Sequence, residues 1–263
     1  MHSAPNSIAI VDYHLNAALR LVPGKVTSNC NFVSFTAVLD SLDEEHAEIL
    51  RRSCLWPLYL LRSVQFYGQW IDSLLCRLLK PVDGDALHFD LGGQGCYISI
   101  FEFALITGLR CTGEEAARAI IPTDKRLLND YFNGHTTMTL AQLGDAFRGC
   151  DQISDKLKLG MVFILESVLR CHHRKTLIDV FHSQVVDNID VFNSYPWGQR
   201  CFIDTLRICR RGHSMLRGDR PERKYNVYGM SLALQIWVYE TVTILTGPYV
   251  KRGDTYIPRM HRW

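Results

Sequence analysis

Cys171, His172 and His173 are consecutive and all of metal-ligand type, so zinc chelation is the first chemistry to weigh. Adjacent residues on a helix point about 100° apart and do not converge on one ion. No second ligand pair stands at a zinc spacing, so no metal site is expected. The GGQG at 92–95 could cradle a phosphate, but it lacks both the Lys-Ser/Thr of a Walker loop and the spacing of G-x-G-x-x-G. A strand pattern precedes it and another follows it, so it reads as a hairpin turn. Nine cysteines and ten histidines allow a nucleophilic Cys–His pair by chance. No cysteine sits in a local signature such as Q-x-x-x-D-C-G, so core cysteines are expected. Glu240, inside WVYETV, is a carboxylate among apolar neighbours and could serve as a general base with a raised pKa. More often such a residue pairs with an arginine or caps a backbone group, and Glu102 has a capping role available. The expectation is therefore no catalytic residue, no metal and no cofactor.

One electrostatic feature remains. The run RICRRGHSMLRGDRPERK, residues 207–224, carries Arg207, Arg210, Arg211, Arg217, Arg220, Arg223 and Lys224 against Asp219 and Glu222. Lys251, Arg252, Arg259 and Arg262 add a basic tail. Such groups can contact phosphates or an acidic partner. No stacking aromatics are interleaved and no nucleic-acid motif is present, so a solvated loop is the competing reading.

The elements that must position these residues are mostly helical. Leu87, Phe89 and Leu91 alternate with polar residues as in a half-buried strand. Gly92, Gly93 and Gly95 supply a tight turn, and residues 96–98 read as the returning strand. Ser99 and Glu102 form a capping box, with Ile98 and Phe103 as a hydrophobic staple. The following helix is apolar except for Glu102, so other elements are expected all round it, and Gly108 suits its left-handed end. Residues 15–21 allow a short helix; otherwise the first 35 residues give no clear pattern. Ser41 with Glu44 predicts a helix over 41–53, restarted at Pro57, and another spans 68–80, stopped by Pro81 and Asp83-Gly84. Further helices are predicted over 114–121 before Pro122, over 124–132, over 140–147 capped by Thr139, over 154–171 capped by Ser154, and over 176–189. Pro196 opens a helix burying Trp197, Phe202, Ile203, Leu206 and Cys209. Residues 225–228 read as a short strand and 230–245 as a last buried helix, ended by Gly247-Pro248. The fold class is mainly α with one small β-hairpin.

A chain of 263 residues fits one large domain or two small ones. Apolar residues make up 47% and the net charge is +2, so there is no global basic field for nucleic acid. The cysteines show no paired short spacing, which predicts free thiols in a reducing compartment, nucleus or cytoplasm. The first 20 residues lack a basic start followed by a continuous apolar run, so no signal peptide is expected. The run 230–245 is too short and too polar for a membrane span, which needs about 20 apolar residues.

Three stretches, YISIFEFALITGL (97–109), YPWGQR (195–200) and YGMSLALQIWVYE (228–240), occur in this order. Together they resemble a plant-specific domain of unknown function, over residues 40–246. The resemblance implies an extension at 1–40, the domain at 41–246 and a tail at 247–263. Members of that family occur in transposon-associated plant proteins, often N-terminal to a ubiquitin-like-protease domain of the SUMO-protease type. Such proteases carry His, Asp, Gln and a Cys within D-C-G, and no D-C-G occurs here. The resemblance thus implies an accessory, non-enzymatic domain that binds a protein partner. The alternatives are a nucleic-acid-binding accessory domain using residues 207–224, or a fragment of a SUMO-protease-related protein without its catalytic domain.

Overall fold

The hairpin forms where the alternation places it. β2 (Ala86–Asp90) pairs antiparallel with β3 (Gly95–Ser99), with Leu87 opposite Ile98 and Phe89 opposite Cys96. Gly92 and Gly93 take positive φ, whereas Gly95 already lies in the returning strand. The computed structural model describes residues 12–13, 24–80, 85–121, 123–135, 137–211, 223–245, 247, 250–253 and 258–262. The predicted helix at 15–21, the stop signals at Pro81, Asp83-Gly84, Pro122 and Pro248, and residues 212–222 of the basic run lie outside them.

The chain before the hairpin holds β1 (Gly24–Ser28) and helices α1 (Phe32–Asp40), α2 (Glu44–Arg51), α3 (Trp56–Tyr59) and α4 (Gly68–Leu75). After it come α5 (Ile100–Thr107), α6 (Glu114–Ala119), α7 (Arg126–Phe132), β4 (Met138–Thr139), α8 (Leu140–Gly149) and α9 (Ile153–Ile164). A π-helical turn, Leu165–Leu169, continues α9. Then follow β5 (Leu177–Ile178), α10 (Phe181–Val185), α11 (Ile189–Ser194), α12 (Trp197–Arg211), β6 (Arg223–Val227) and α13 (Ser231–Thr241). Short 3-10 turns lie at Thr243–Leu245 and Arg259–Arg262. The fold is mainly α with minor β. Besides the hairpin, β1 pairs parallel with β6 and β4 antiparallel with β5. Among the described residues no helix is long and apolar enough to cross a membrane.

Two capping boxes form as their residues dictate. Ser99 and Glu102 close the start of α5, and Thr139 and Gln142 close the start of α8. Each contributes about 1 kcal/mol by satisfying donors that a helix start leaves free. Gly108 closes α5 with φ of 70°. At α2 the cap is Asp43, which accepts from His46 N, and not Ser41. Ser41 instead ends α1, donating its hydroxyl back to Val38 O, and α1 itself lies where the sequence pattern was weakest.

Several other boundaries differ for tertiary reasons. α4 stops at Leu75 because the next residues pair with the hairpin: Leu78 bridges Phe89, and Leu79 N donates to His88 O. Ser154 lies inside the first turn of α9, with Gln152 at the cap position. The helix expected over 176–189 is broken, because Leu177 and Ile178 pair with Thr139 and Met138. Two short helices, α10 and α11, replace it. Nor is α5 surrounded: Phe101 is 72% and Leu105 40% exposed, while Phe103 and Ile106 are buried. Ile203, expected in the core, is half-buried, and Ile208 takes a buried place on α12.

The apolar faces meet in a continuous core. α9 packs against α1, α2, α8 and α10, while α5 packs against both α12 and α13. Two buried polar residues stitch the N-terminal part to the C-terminal part. Asp72 accepts from Gly24 N and from Tyr225 Oη, which fastens β1 and β6 to α4. Gln235, fully buried on α13, accepts from Tyr67 N and donates to Gln65 O. A glutamine can do both at once, which accounts for the polar letter inside LALQIW.

Candidate functional site

The buried polar atoms concentrate at the π-helical turn. Glu166 sits in the apolar run FILESVL and is completely buried. Burial opposes its charge, but His182, His172 and Arg170 together hold its pKa well below the ordinary carboxylate value. His182 Nδ1 lies 2.5 Å from Oε1. His172 Nδ1 stands 2.7 Å from Oε2, an ion-pair distance without hydrogen-bond alignment. Arg170 reaches Oε1 at 3.4 Å and Asp204 Oδ2 at 2.7 Å. Asp204 in turn lies 3.6 Å from Arg207. The network therefore runs from the buried carboxylate to the first residue of the basic run.

A glutamate bonded to a histidine is the apparatus of general acid–base chemistry. Here His182 is also fully buried, stacked edge-to-face on Trp197 at 5.1 Å. Neither groove described below includes Glu166, His172 or His182. The arrangement can hold charge and fix the π turn, with the half-buried His172 standing between Glu166 and solvent.

The cysteines act as hydrogen-bond donors. Cys30 and Cys171 both point their thiols at Val168 O, and Cys201 points at Leu169 O. These carbonyls lie in a last helical turn, where no intrahelical donor remains. Burial pushes the thiols of Cys54, Cys111 and Cys209 up to about 12, and raises that of Cys201 as well. Cys171 is raised by the neighbouring Cys30 thiol and by burial. A nucleophilic cysteine needs the opposite shift.

The three motif stretches converge on α5. Tyr195 and Trp197 are buried, and Trp197 Nε1 donates to Phe192 O. Gly198 N donates to Arg110 O just beyond the end of α5. A side chain at 198 would fall 2.5 Å from Cys111 Sγ and 2.9 Å from Arg110 O, so this contact requires glycine. Arg200 pairs with Glu114 at 2.9 Å. α13 supplies the third side, and its Glu240 lies 3.7 Å from Arg259. Glu240 thus has the arginine partner that the structural reading of it required.

Among the described residues, two grooves that open to solvent stand out. One, of about 920 Å³, lies beside the exposed face of α5, between Ile100, Phe101 and Ala104 and the charged Glu114, Glu115 and Arg118. The other, of about 560 Å³, lies between α4, the hairpin turn and the end of α13.

The basic run is not one loop. Arg207, Arg210 and Arg211 belong to the last turns of α12, where cations favour the helix dipole. Arg223 and Lys224 lie in β6, in register with Gly24 and Lys25 of β1. Arg207 and Arg211 are exposed, while Arg210 is half-buried with its Nε covered. Arg217 and Arg220 lie outside the described residues. Of the CHH triplet, Cys171 is buried, His172 faces Glu166 and His173 is exposed, so the three diverge.

Residues 75–207 match the model of a family described as Domain of unknown function (DUF1985). The chain belongs to the DUF1985 family. The matched stretch contains the hairpin, α5, the π turn and its network, and YPWGQR. YGMSLALQIWVYE and the rest of the basic run lie beyond it. No curated protein and no solved structure matches the chain.

Sequence reasoning passed over Glu166, Arg170, His182, Asp204 and Asp72. For Glu166 a signal exists: one carboxylate in an apolar run, the same signal that singled out Glu240, here with an arginine four residues later. His182 and Asp204 carry none, because their roles arise only when α10 and α12 close on the π turn.

Proposed function

We propose that this DUF1985 chain is a non-catalytic helical interaction domain that binds a protein partner through the solvent face of α5. The observation that carries this reading is Phe101, 72% exposed on a helix whose opposite side is core. An apolar residue beside a groove rimmed by Glu114, Glu115 and Arg118 has the make-up of a protein contact site. The buried, proton-holding thiols support the non-catalytic half of the proposal. The resemblance supplies the setting: an intracellular, transposon-associated plant protein, nuclear or cytoplasmic, whose partner is a SUMO-protease-type domain or its substrate. Calorimetric titration against a purified domain of that protease type and against SUMO tests it. One of the two should bind, and Phe101→Ser should weaken binding at least tenfold without lowering the thermal midpoint. Equal binding by Phe101→Ser, or thiol-dependent cleavage of a SUMO-linked substrate by this chain alone, would overturn it.

A second reading, contact with nucleic acid, draws on the register that sets Lys224 beside Lys25 while Arg207 and Arg211 stand exposed at the end of α12. On that reading, Arg207→Gln with Arg211→Gln lowers duplex affinity and flattens its salt dependence by about two charges. An unchanged salt slope rules it out.

A further inference from the structure

Two helices face each other across the second groove with the same spacing. Trp70, Ser73 and Leu74 of α4, with Arg77 just after its end, fall at i, i+3, i+4 and i+7. Val238 and Thr241 of α13, with Val242 and Leu245 just after its end, repeat that sequence spacing. Such a spacing puts side chains on one face while the helix lasts, and all eight residues line the groove. At one end the faces touch, Trp70 standing edge-on to Tyr239 at 5.2 Å. At the other end they part. α4 ends early to pair with the hairpin, and α13 ends at Thr241 in a 3-10 turn. Leu91, Gly92 and Gln94 of the hairpin turn close that end.

The floor is apolar, with Leu74 and Val238 buried beneath it. Arg77 is the one charged residue among the described residues lining the groove. Its Nη1 donates to Ser73 O at 2.8 Å, which holds the guanidinium at the rim. Unlike Arg126, Arg170 and Arg200, it meets no carboxylate among the described residues. A volume of about 560 Å³ is that of a site for a single small molecule.

We infer that this groove binds a small amphipathic monoanion, an apolar body of ring or chain type ended by a carboxylate or sulfonate. The apolar body takes the place of water against Trp70, Leu74 and Val242. The anionic end pairs with the Arg77 guanidinium, which offers two donors to two oxygens. One cation on an apolar floor favours a single negative charge; a dianion would leave one charge unpaired, and a cation would meet Arg77. The site shares no residue with the α5 face and stands independently of it.

Titration of the full chain with 8-anilinonaphthalene-1-sulfonate, followed by fluorescence, tests the inference, with the uncharged N-phenyl-1-naphthylamine as the matched probe. Saturable one-to-one binding of the sulfonate is expected, with displacement by dodecanoate. Arg77→Gln should weaken the sulfonate at least tenfold and leave the neutral probe within twofold. Ser73→Trp and, from the opposite wall, Thr243→Trp should abolish both. Ser73 and Thr243 are exposed, so the thermal midpoint checks that each variant is folded. Binding that survives both tryptophans would place the probe elsewhere and overturn the site. Equal weakening of both probes by Arg77→Gln would overturn the assignment of an anion.

Discussion

Replacing His182 by alanine is expected to remove about 3–5 kcal/mol of folding stability at neutral pH, because it leaves the buried Glu166 carboxylate without its closest hydrogen-bonding partner. Urea unfolding measures it. The loss is large against the 5–15 kcal/mol of a typical domain. Glu166 has no solvent to turn to, and the His172 nitrogen beside it is poorly aligned. The sign of the pH dependence follows from the depressed pKa of Glu166. A carboxyl whose folded pKa lies below its unfolded value stabilises the fold above the unfolded pKa. That contribution is lost as pH falls through the folded pKa. In the wild type the loss therefore begins below the ordinary carboxylate range, about pH 4. Without His182 the folded pKa rises, and the acid limb of the stability curve moves to higher pH. A His182→Ala variant within about 1 kcal/mol of wild type, with an unmoved acid limb, would show that the pair does not hold the π turn. His182 would then be open to another role.

How far the sequence reached can be judged at individual residues. Ser99, Glu102, Thr139 and Gly108 behave as written, because caps and turns are decided by atoms within four residues of one another. The break at 177–178 was not legible there. The apolar spacing of 176–189 fits a helix, and only β4, forty residues earlier, offers the pairing that overrides it. The exposure of Phe101 escaped for a related reason. A run such as IFEFALIT is apolar all round, and composition cannot say which side meets the core. The Arg77 groove lay in plain view as two i, i+3, i+4, i+7 series. Each reads alone as an ordinary core face; only their divergence makes a groove, and that divergence is tertiary.

The other large effect should come from Trp197→Ala, at about 3–5 kcal/mol. Trp197 is 1% exposed, with rings of Tyr195, Phe192 and His182 at 4.4, 5.0 and 5.1 Å. Alanine would leave a cavity among these rings and take from Phe192 O its shortest hydrogen bond, leaving it the Tyr195 N–H at 3.3 Å. Phenylalanine should cost less, about 1–3 kcal/mol, since it refills most of the space but cannot donate. Because the indole and the His182 imidazole touch, the two alanine variants should not add. Removing the indole lets His182 shift away from Glu166, so part of the His182 loss is already incurred. A double variant whose loss equals the sum of the singles would mean that Trp197 and the Glu166 network are independent. A coupling of about 1 kcal/mol or more would show that YPWGQR and the π turn form one unit. Phe101→Ser should meanwhile leave stability almost unchanged, since its ring faces water. Together the three variants separate residues that build the fold from Phe101, a motif residue whose ring faces solvent.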